Sequence, residues 1–238
     1  MKKMTFWVLM CWQAAFLRAE PATVLVRVPA GTAVPAQLPA LLSQWRLSGQ
    51  VSRVLFLTDG KPETAGHPAQ FAAFAVIEFS NEAAMASWQK TAAPQLPSGL
   101  IVRPAQVLAH HDLAKTDSGE SVFVVNTYTP IVSRKRFAEF ASGYTKPLYD
   151  AMQGTQALVS YSIYLELGPL RHADAINVLE YRNAAALASM GKLKGGIRER
   201  LTATVPTYAH FDKIKDTLRL DGHGTFATYT PVAGGDGR

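Results

Sequence analysis

Two periods of apolar residues follow one another along this chain in a fixed order. From 121 to 129 the side chains alternate as in a strand, and Pro130 ends the run. Phe137, Phe140, Ala141, Tyr144 and Leu148 then recur at helical spacing, with Ser133 placed to cap the helix start and Pro147 to bend it. Residues 158–165 and 175–181 read as the next two strands, around the turn-forming pair Gly168-Pro169. Asn183 is placed to cap a helix running to about Arg200, which Gly191, Gly195 and Gly196 weaken by roughly 1 kcal/mol each relative to Ala. Residues 202–210 read as a fourth strand.

The same order occurs earlier. Residues 23–28 read as a strand, Leu38, Leu41, Leu42 and Trp45 as a helix face, 51–58 and 71–79 as strands, Met85 and Trp88 as a second helix, and 100–108 as a strand. Each half is therefore expected to be a ferredoxin-like β-α-β-β-α-β unit. The halves also share residues: Phe74-Ala-Val-Ile-Glu78-Phe-Ser-Asn81 returns as Ile176-Asn-Val-Leu-Glu180-Tyr-Arg-Asn183, and Ala109-His110-His111-Asp112 as Ala209-His210-Phe211-Asp212. Two echoes in one order predict a tandem duplication, with repeats at 22–112 and 121–212 and a polar linker at 113–120. Helices cover only one face of such a sheet, so the bare faces are expected to close on each other as a pseudo-dimeric α+β barrel. Residues 213–238 are left as an extension. Thr228-Tyr229-Thr230-Pro231 repeats Thr127-Tyr128-Thr129-Pro130, and 225–230 is expected to be an added strand docked on a sheet edge.

Lys2, Lys3, the apolar run from Met4 to Leu17 and the small Ala19 read as an export signal over 1–19, which places the mature protein in a periplasmic or extracellular compartment. Cleavage removes Cys11, the single cysteine, and with it any disulfide or thiol chemistry. It also reduces the formal charge from +6 to about +3. No nucleic-acid partner is expected, because Arg134-Lys135-Arg136 and the basic residues Lys192, Lys194, Arg198 and Arg200 lack interleaved stacking aromatics. After cleavage no stable membrane insertion is expected either. Homo-oligomerisation stays open.

At Thr127-Tyr128-Thr129, Leu167-Gly168-Pro169-Leu170 and Val178-Leu-Glu180-Tyr181-Arg-Asn183 the second half resembles the NIPSNAP-like branch of the dimeric α+β-barrel superfamily. Asn126 stands where that branch often has Arg, and the first half departs further, with Val26-Arg27-Val28-Pro29. The superfamily resemblance implies functions ranging from cofactor-independent monooxygenases and haem-degrading enzymes to haem-bound chlorite dismutases and ring cyclases. Fold alone does not choose among them.

Strand alternation assigns the candidate site. Ile77 with Phe79 and Leu179 with Tyr181 are the more apolar faces, expected under helices, so Glu78 and Glu180 are expected to point into the barrel. Val24, Val26, Val28, Phe123 and Val125 are taken as helix-facing in the first strands, which sends Arg27, Asn126 and Tyr128 inward. Arg27 is expected to pair with Glu78, and Tyr128 or Asn126 with Glu180. These five residues line a small-ligand cavity on one reading and form a satisfied polar network between sheets on the other.

His110, His111, His172 and His210 show no metal-ligand spacing, so no metal is expected, and His110 and His210 are read as hydrogen-bonding at strand ends. No cofactor is assigned. Haem is the one alternative, without a local motif for its ligands. No Gly-x-Ser-x-Gly elbow marks a serine nucleophile, and the glycines at 191–196 lie inside a helix pattern rather than a phosphate loop. The chain is expected to be a ligand-binding or interaction module, with an oxygenase-like or haem-dependent oxidoreductase on the same barrel as the alternative.

Overall fold

A computed structural model describes residues 22–63, 66–113, 120–168 and 174–233. The export signal, the linker residues 114–119, His172 and the tail 234–238 lie outside the described residues. Among the described residues eight strands close into one barrel: β1 (Ala22–Pro29), β2 (Arg53–Pro62), β3 (Phe71–Phe79), β4 (Ile101–Asp112), β5 (Val122–Pro130), β6 (Leu158–Glu166), β7 (Ala175–Tyr181) and β8 (Arg219–Tyr229), in the order β1-β3-β2-β8-β5-β7-β6-β4. Read around the barrel, β4-β1-β3-β2 and β8-β5-β7-β6 are the same ferredoxin-like order. The halves join along β2 with β8 and β4 with β6, and every pairing is antiparallel. Closure leaves no sheet edge unpaired, which removes the exposed backbone donors and acceptors that two separate units would present.

Helices α1 (Leu38–Leu47) and α2 (Glu82–Thr91) cover the first half, and α3 (Arg134–Phe140), α4 (Lys146–Gln153), α5 (Ala184–Thr204) and α6 (Pro206–Ile214) the second. Asn81 and Asn183 hold equivalent places: each caps the helix after its strand, accepting from the backbone N of Ala84 and Ala186 at 2.9 Å. Such a cap is worth about 1 kcal/mol. Between α3 and α4, residues 141–145 form a π-helical turn just before Pro147, whose missing N–H cannot continue the α-helical ladder. Gly143 lies in that turn, where a Cβ would sit 2.5 Å from the Phe211 ring, so its bareness lets α6 close on the bend.

The core has three parts. Val24, Val26, Val28, Ala75, Ile77 and Phe79 pack under Leu42, Trp45 and Trp88 of α1 and α2. Val124, Leu179 and Tyr181 pack under the aromatics of α3 to α6. Leu25, Leu57, Phe71, Phe74, Val76, Phe123, Val125, Tyr164, Ile176 and Val178 fill the barrel interior. The barrel is a packed core along most of its length.

Two strand expectations are corrected. Residues 202–210 are helical, spanning the end of α5 and the start of α6, with Pro206 at the first position of α6, where its missing N–H costs no helical hydrogen bond. The echo of 109–112 in 209–212 therefore joins a strand to a helix and does not mark equivalent places. The fourth strand of the second half is β8, which lies within the segment read as an extension. It pairs with β2 through Thr58↔Thr228 and with β5 through Val125↔Thr225. Gly222 permits this approach, since a Cβ there would run into the Thr127 carbonyl.

Candidate site at the mouth of the barrel

The polar groups of the interior gather at its two ends. At the upper end, where β3 and β7 finish, Glu78 and Glu180 point inward, because Ile77, Phe79, Leu179 and Tyr181 occupy the helix-facing positions. Ser160, Ser162 and Tyr164 of β6 face inward across from them. A bulge in β4 between Val107 and Ala109 shifts the alternation by one residue, so His110 and Asp112 turn inward opposite Ser162 and Ser160. Bulges commonly re-aim a side chain in this way. Together with Arg53 of β2 these residues surround a mouth whose enclosed space is about 30 Å³.

The contacts within it are specific. His110 bridges two partners: its Nδ1 lies 2.8 Å from Ser162 Oγ and its Nε2 3.0 Å from Asp112 Oδ2. Ser160 Oγ donates to Glu180 Oε2 at 3.0 Å, and Arg53 Nη1 to Glu78 Oε1 at 3.5 Å. His110 and Asp112 are about a third and nearly half exposed, whereas Glu180 and Ser162 are buried. Burial keeps the Tyr164 phenol protonated far above its ordinary range.

The hydrogen bond that His110 donates to the Asp112 carboxylate raises the histidine above its usual value of 6.5, against the opposing effect of burial. The folded chain therefore binds this proton more tightly than the unfolded chain does. The resulting contribution to stability is complete below about pH 6.5 and is lost as pH rises through the folded value. Asp112→Asn is expected to lower the His110 midpoint, since burial then acts without the carboxylate. Proton NMR of the His110 ring measures it, and an unchanged midpoint would mean that Asp112 does not tune the histidine.

Ser162, His110 and Asp112 have the order of a nucleophile, base and orienting acid, a relation that the sequence does not reveal. Ser162 lies within the β6 ladder, paired with both His110 and Val178, so its strand backbone is committed to the sheet. The arrangement suits proton transfer by His110 better than acyl transfer at Ser162.

Arg27 faces the interior at the lower end and does not meet Glu78. Its Nη2 binds Glu166 Oε1 and its Nη1 Asp174 Oδ2, both at 2.7 Å, and Arg53 takes the expected place beside Glu78. Asn126 and Tyr128 do not line the interior: β5 has the opposite phase, with Phe123 and Val125 inside and Val124 and Tyr128 toward the helices. The Tyr128 ring lies 3.9 Å beneath the Arg219 guanidinium, and Glu180 pairs with Ser160 instead. His111 points away from His110, toward Asp150 and Tyr161. His210 is on α6 beside Phe211. Among the described residues no group of three or more His, Cys, Asp or Glu side chains is placed to hold a metal ion. No helix among them is long and apolar enough to cross a membrane.

No protein-family model matches the chain, and no curated protein matches it. Solved structures do. A candidate monooxygenase from Lactobacillus acidophilus is similar with a TM-score of 0.53 and 9% identity, over 90% of this chain and 95% of that one. A candidate monooxygenase from Fusobacterium nucleatum gives 0.50 and 12%, over 90% and 93%. A candidate chlorite dismutase, TA0507, gives 0.41 and 8%, over 90% and 96%. This chain has the same kind of fold as those structures, an α+β barrel, with its eight antiparallel strands closed within one polypeptide.

Proposed function

We propose that the upper mouth of the barrel is a small-molecule site in which His110 gives or takes a proton. The observation that carries this reading is the placement of His110. A bulge turns it inward, a carboxylate raises its proton affinity, and it remains about a third exposed at the end of an otherwise apolar interior. A purely structural network has no need of that access. An oxidoreductase acting on a bound substrate without a resident cofactor uses the same elements, with His110 as base. The candidate monooxygenases with this fold are consistent with that version, although their low identity extends only to the fold.

The residues at the mouth do not fit a haem. The enclosed space is about 30 Å³, the interior below is filled by Leu25, Phe74 and Tyr164, and both ring nitrogens of His110 are engaged. The finer placement in the NIPSNAP-like branch, the descent of the halves from a tandem duplication and export through residues 1–19 belong to the same proposal. They rest on the repeated segments and the basic and apolar start of the chain.

Nuclear magnetic resonance titration of the full chain with n-butylammonium, butyrate and phenol tests the site. At least one of the three is expected to shift the resonances of His110 and Tyr164 saturably while leaving the lower-end residues Arg27 and Glu166 unchanged. If none of the three moves the mouth resonances, the site reading is wrong.

A further inference from the structure

Both ring nitrogens of His110 are taken, Nε2 by Asp112 at the rim and Nδ1 by Ser162, which is buried and lines the mouth from β6. A molecule in the mouth therefore reaches the ring nitrogens only through one of these partners. An ionised carboxylate can only accept a hydrogen bond, so the neutral histidine carries its proton on Nε2 and presents the Nδ1 lone pair to Ser162. Ser162 then donates to Nδ1 at 2.8 Å, and its oxygen lone pairs are left to the interior. Protonation of the ring reverses this bond: Nδ1–H donates, and Ser162 can turn its own proton inward. The serine thus shows the interior an acceptor in one state and a donor in the other.

We infer that Ser162 is the residue that exchanges the proton with a molecule bound in the mouth, acting as a relay for Nδ1 of His110. This rests on the proton-transfer reading of the mouth and names the group that meets the bound molecule. The step balances. As a bound acid X–H gives its proton to Ser162 Oγ, the serine's own proton passes to Nδ1; X⁻ stays in the mouth, and the imidazolium keeps its Nε2–H on Asp112. The reverse step returns the proton. Tyr164 follows two residues later on the same inward face of β6. Burial raises its phenol and the Ser162 hydroxyl opposes that rise, so the serine acts on the interior as well as on the histidine. Of the more distant charges, Arg53 of β2 lowers His110 and Glu78 of β3 raises it, and Glu180 of β7 lines the same mouth. These groups move the midpoint of the histidine, whereas the bonds at its two nitrogens fix the tautomer.

The first measurement needs no variant. Two-bond nitrogen–proton correlation spectra of the full chain, taken above the His110 midpoint, are expected to show a bare Nδ1 and a protonated Nε2. A proton on Nδ1 of the neutral ring overturns the inference, since Ser162 could not then donate to it. The second measurement follows the Tyr164 Cζ resonance through the His110 titration. In the parent it is expected to shift at the His110 midpoint, and in Ser162→Ala to shift at least about threefold less while His110 still titrates, because the hydrogen-bonded chain is broken. Ser162→Thr keeps the hydroxyl and is expected to shift as the parent does. An undiminished shift in S162A means that Tyr164 senses the histidine's charge through space, and loss of the shift in both variants places the effect in packing; either overturns the relay. Phenol, butyrate and n-butylammonium separate this from the site reading. Binding of any of them at the mouth together with an overturning result removes the relay and leaves the site standing, and silence from all three removes both.

Discussion

Replacing Arg27 with Met is expected to destabilise the protein by about 3–5 kcal/mol, the range seen when one partner of a buried ion pair is removed. Arg27 is mostly buried and Glu166 fully so, and the arginine spans two carboxylates with separate nitrogens. Glu166 also accepts from the Asp174 backbone N at 3.2 Å, a bond too weak to carry the charge alone. Burial already raises the Glu166 carboxyl above its ordinary value of 4.5, with Arg27 opposing it. Without Arg27 the carboxyl is expected to rise further, so the folded variant binds the proton more tightly. A raised carboxyl contributes stability that is full below about 4.5 and lost as pH rises through the folded value. The deficit of Arg27→Met relative to the parent should therefore be smaller near pH 5 than near pH 8. Urea unfolding at the two pH values checks this. A pH-independent deficit would show that Arg27 acts through packing, and Arg27→Met/Glu166→Gln should recover part of the loss at pH 8.

Trp88→Ala is expected to cost about 3–5 kcal/mol, as large aromatic-to-Ala changes in cores do. Trp88 is the one fully buried residue of α2, so the helix is fastened to its sheet mainly through this ring. It stands edge-on to Trp45 at 5.2 Å and lies 5.3 Å from Phe79, which joins α1, α2 and β3 in one aromatic group. The vacated space cannot collapse without moving α2. The thermal midpoint should fall on the order of 10 °C for a chain of this size, and Trp88→Phe should lose clearly less. Calorimetry measures both; a shift within a degree of the parent would mean that α2 docks by other contacts.

The legibility of this fold varied strand by strand for physical reasons. β3 and β7 end in Glu78 and Glu180, and a charge marks the inner face when the outer one is clearly apolar, so their phase was readable. β5 offers no such contrast: Phe123 and Val125 fill the barrel while Val124 packs under the helices, and both faces are apolar. Alternation carries no information in a strand buried on both sides. Asn126 and Tyr128 were expected inside because Phe123 and Val125 were taken as the helix-facing side of β5, whereas Tyr128 in fact serves as a face for Arg219. His110 was hidden by the β4 bulge, an extra residue that no local pattern announces and that reverses which side chains face inward. Residues 202–210 have the β-branched content of a strand, yet packing of Tyr208 and Phe211 against Tyr144 and Phe140 holds them helical.

Local chemistry along the chain by itself determined the kinds of element outside 202–210, the two capping asparagines, the ferredoxin-like order and the need for two bare sheet faces to meet. Those depend on neighbours in sequence and on periodicity, which a single chain displays. Which strand closes the second half, which end each inward charge occupies and which partner it meets were decided only by the tertiary structure. Barrel closure, strand tilt and one bulge set those distances, and they bring Arg27 to Glu166, His110 to Ser162 and Glu180 to Ser160 across separations that no spacing in the sequence encodes.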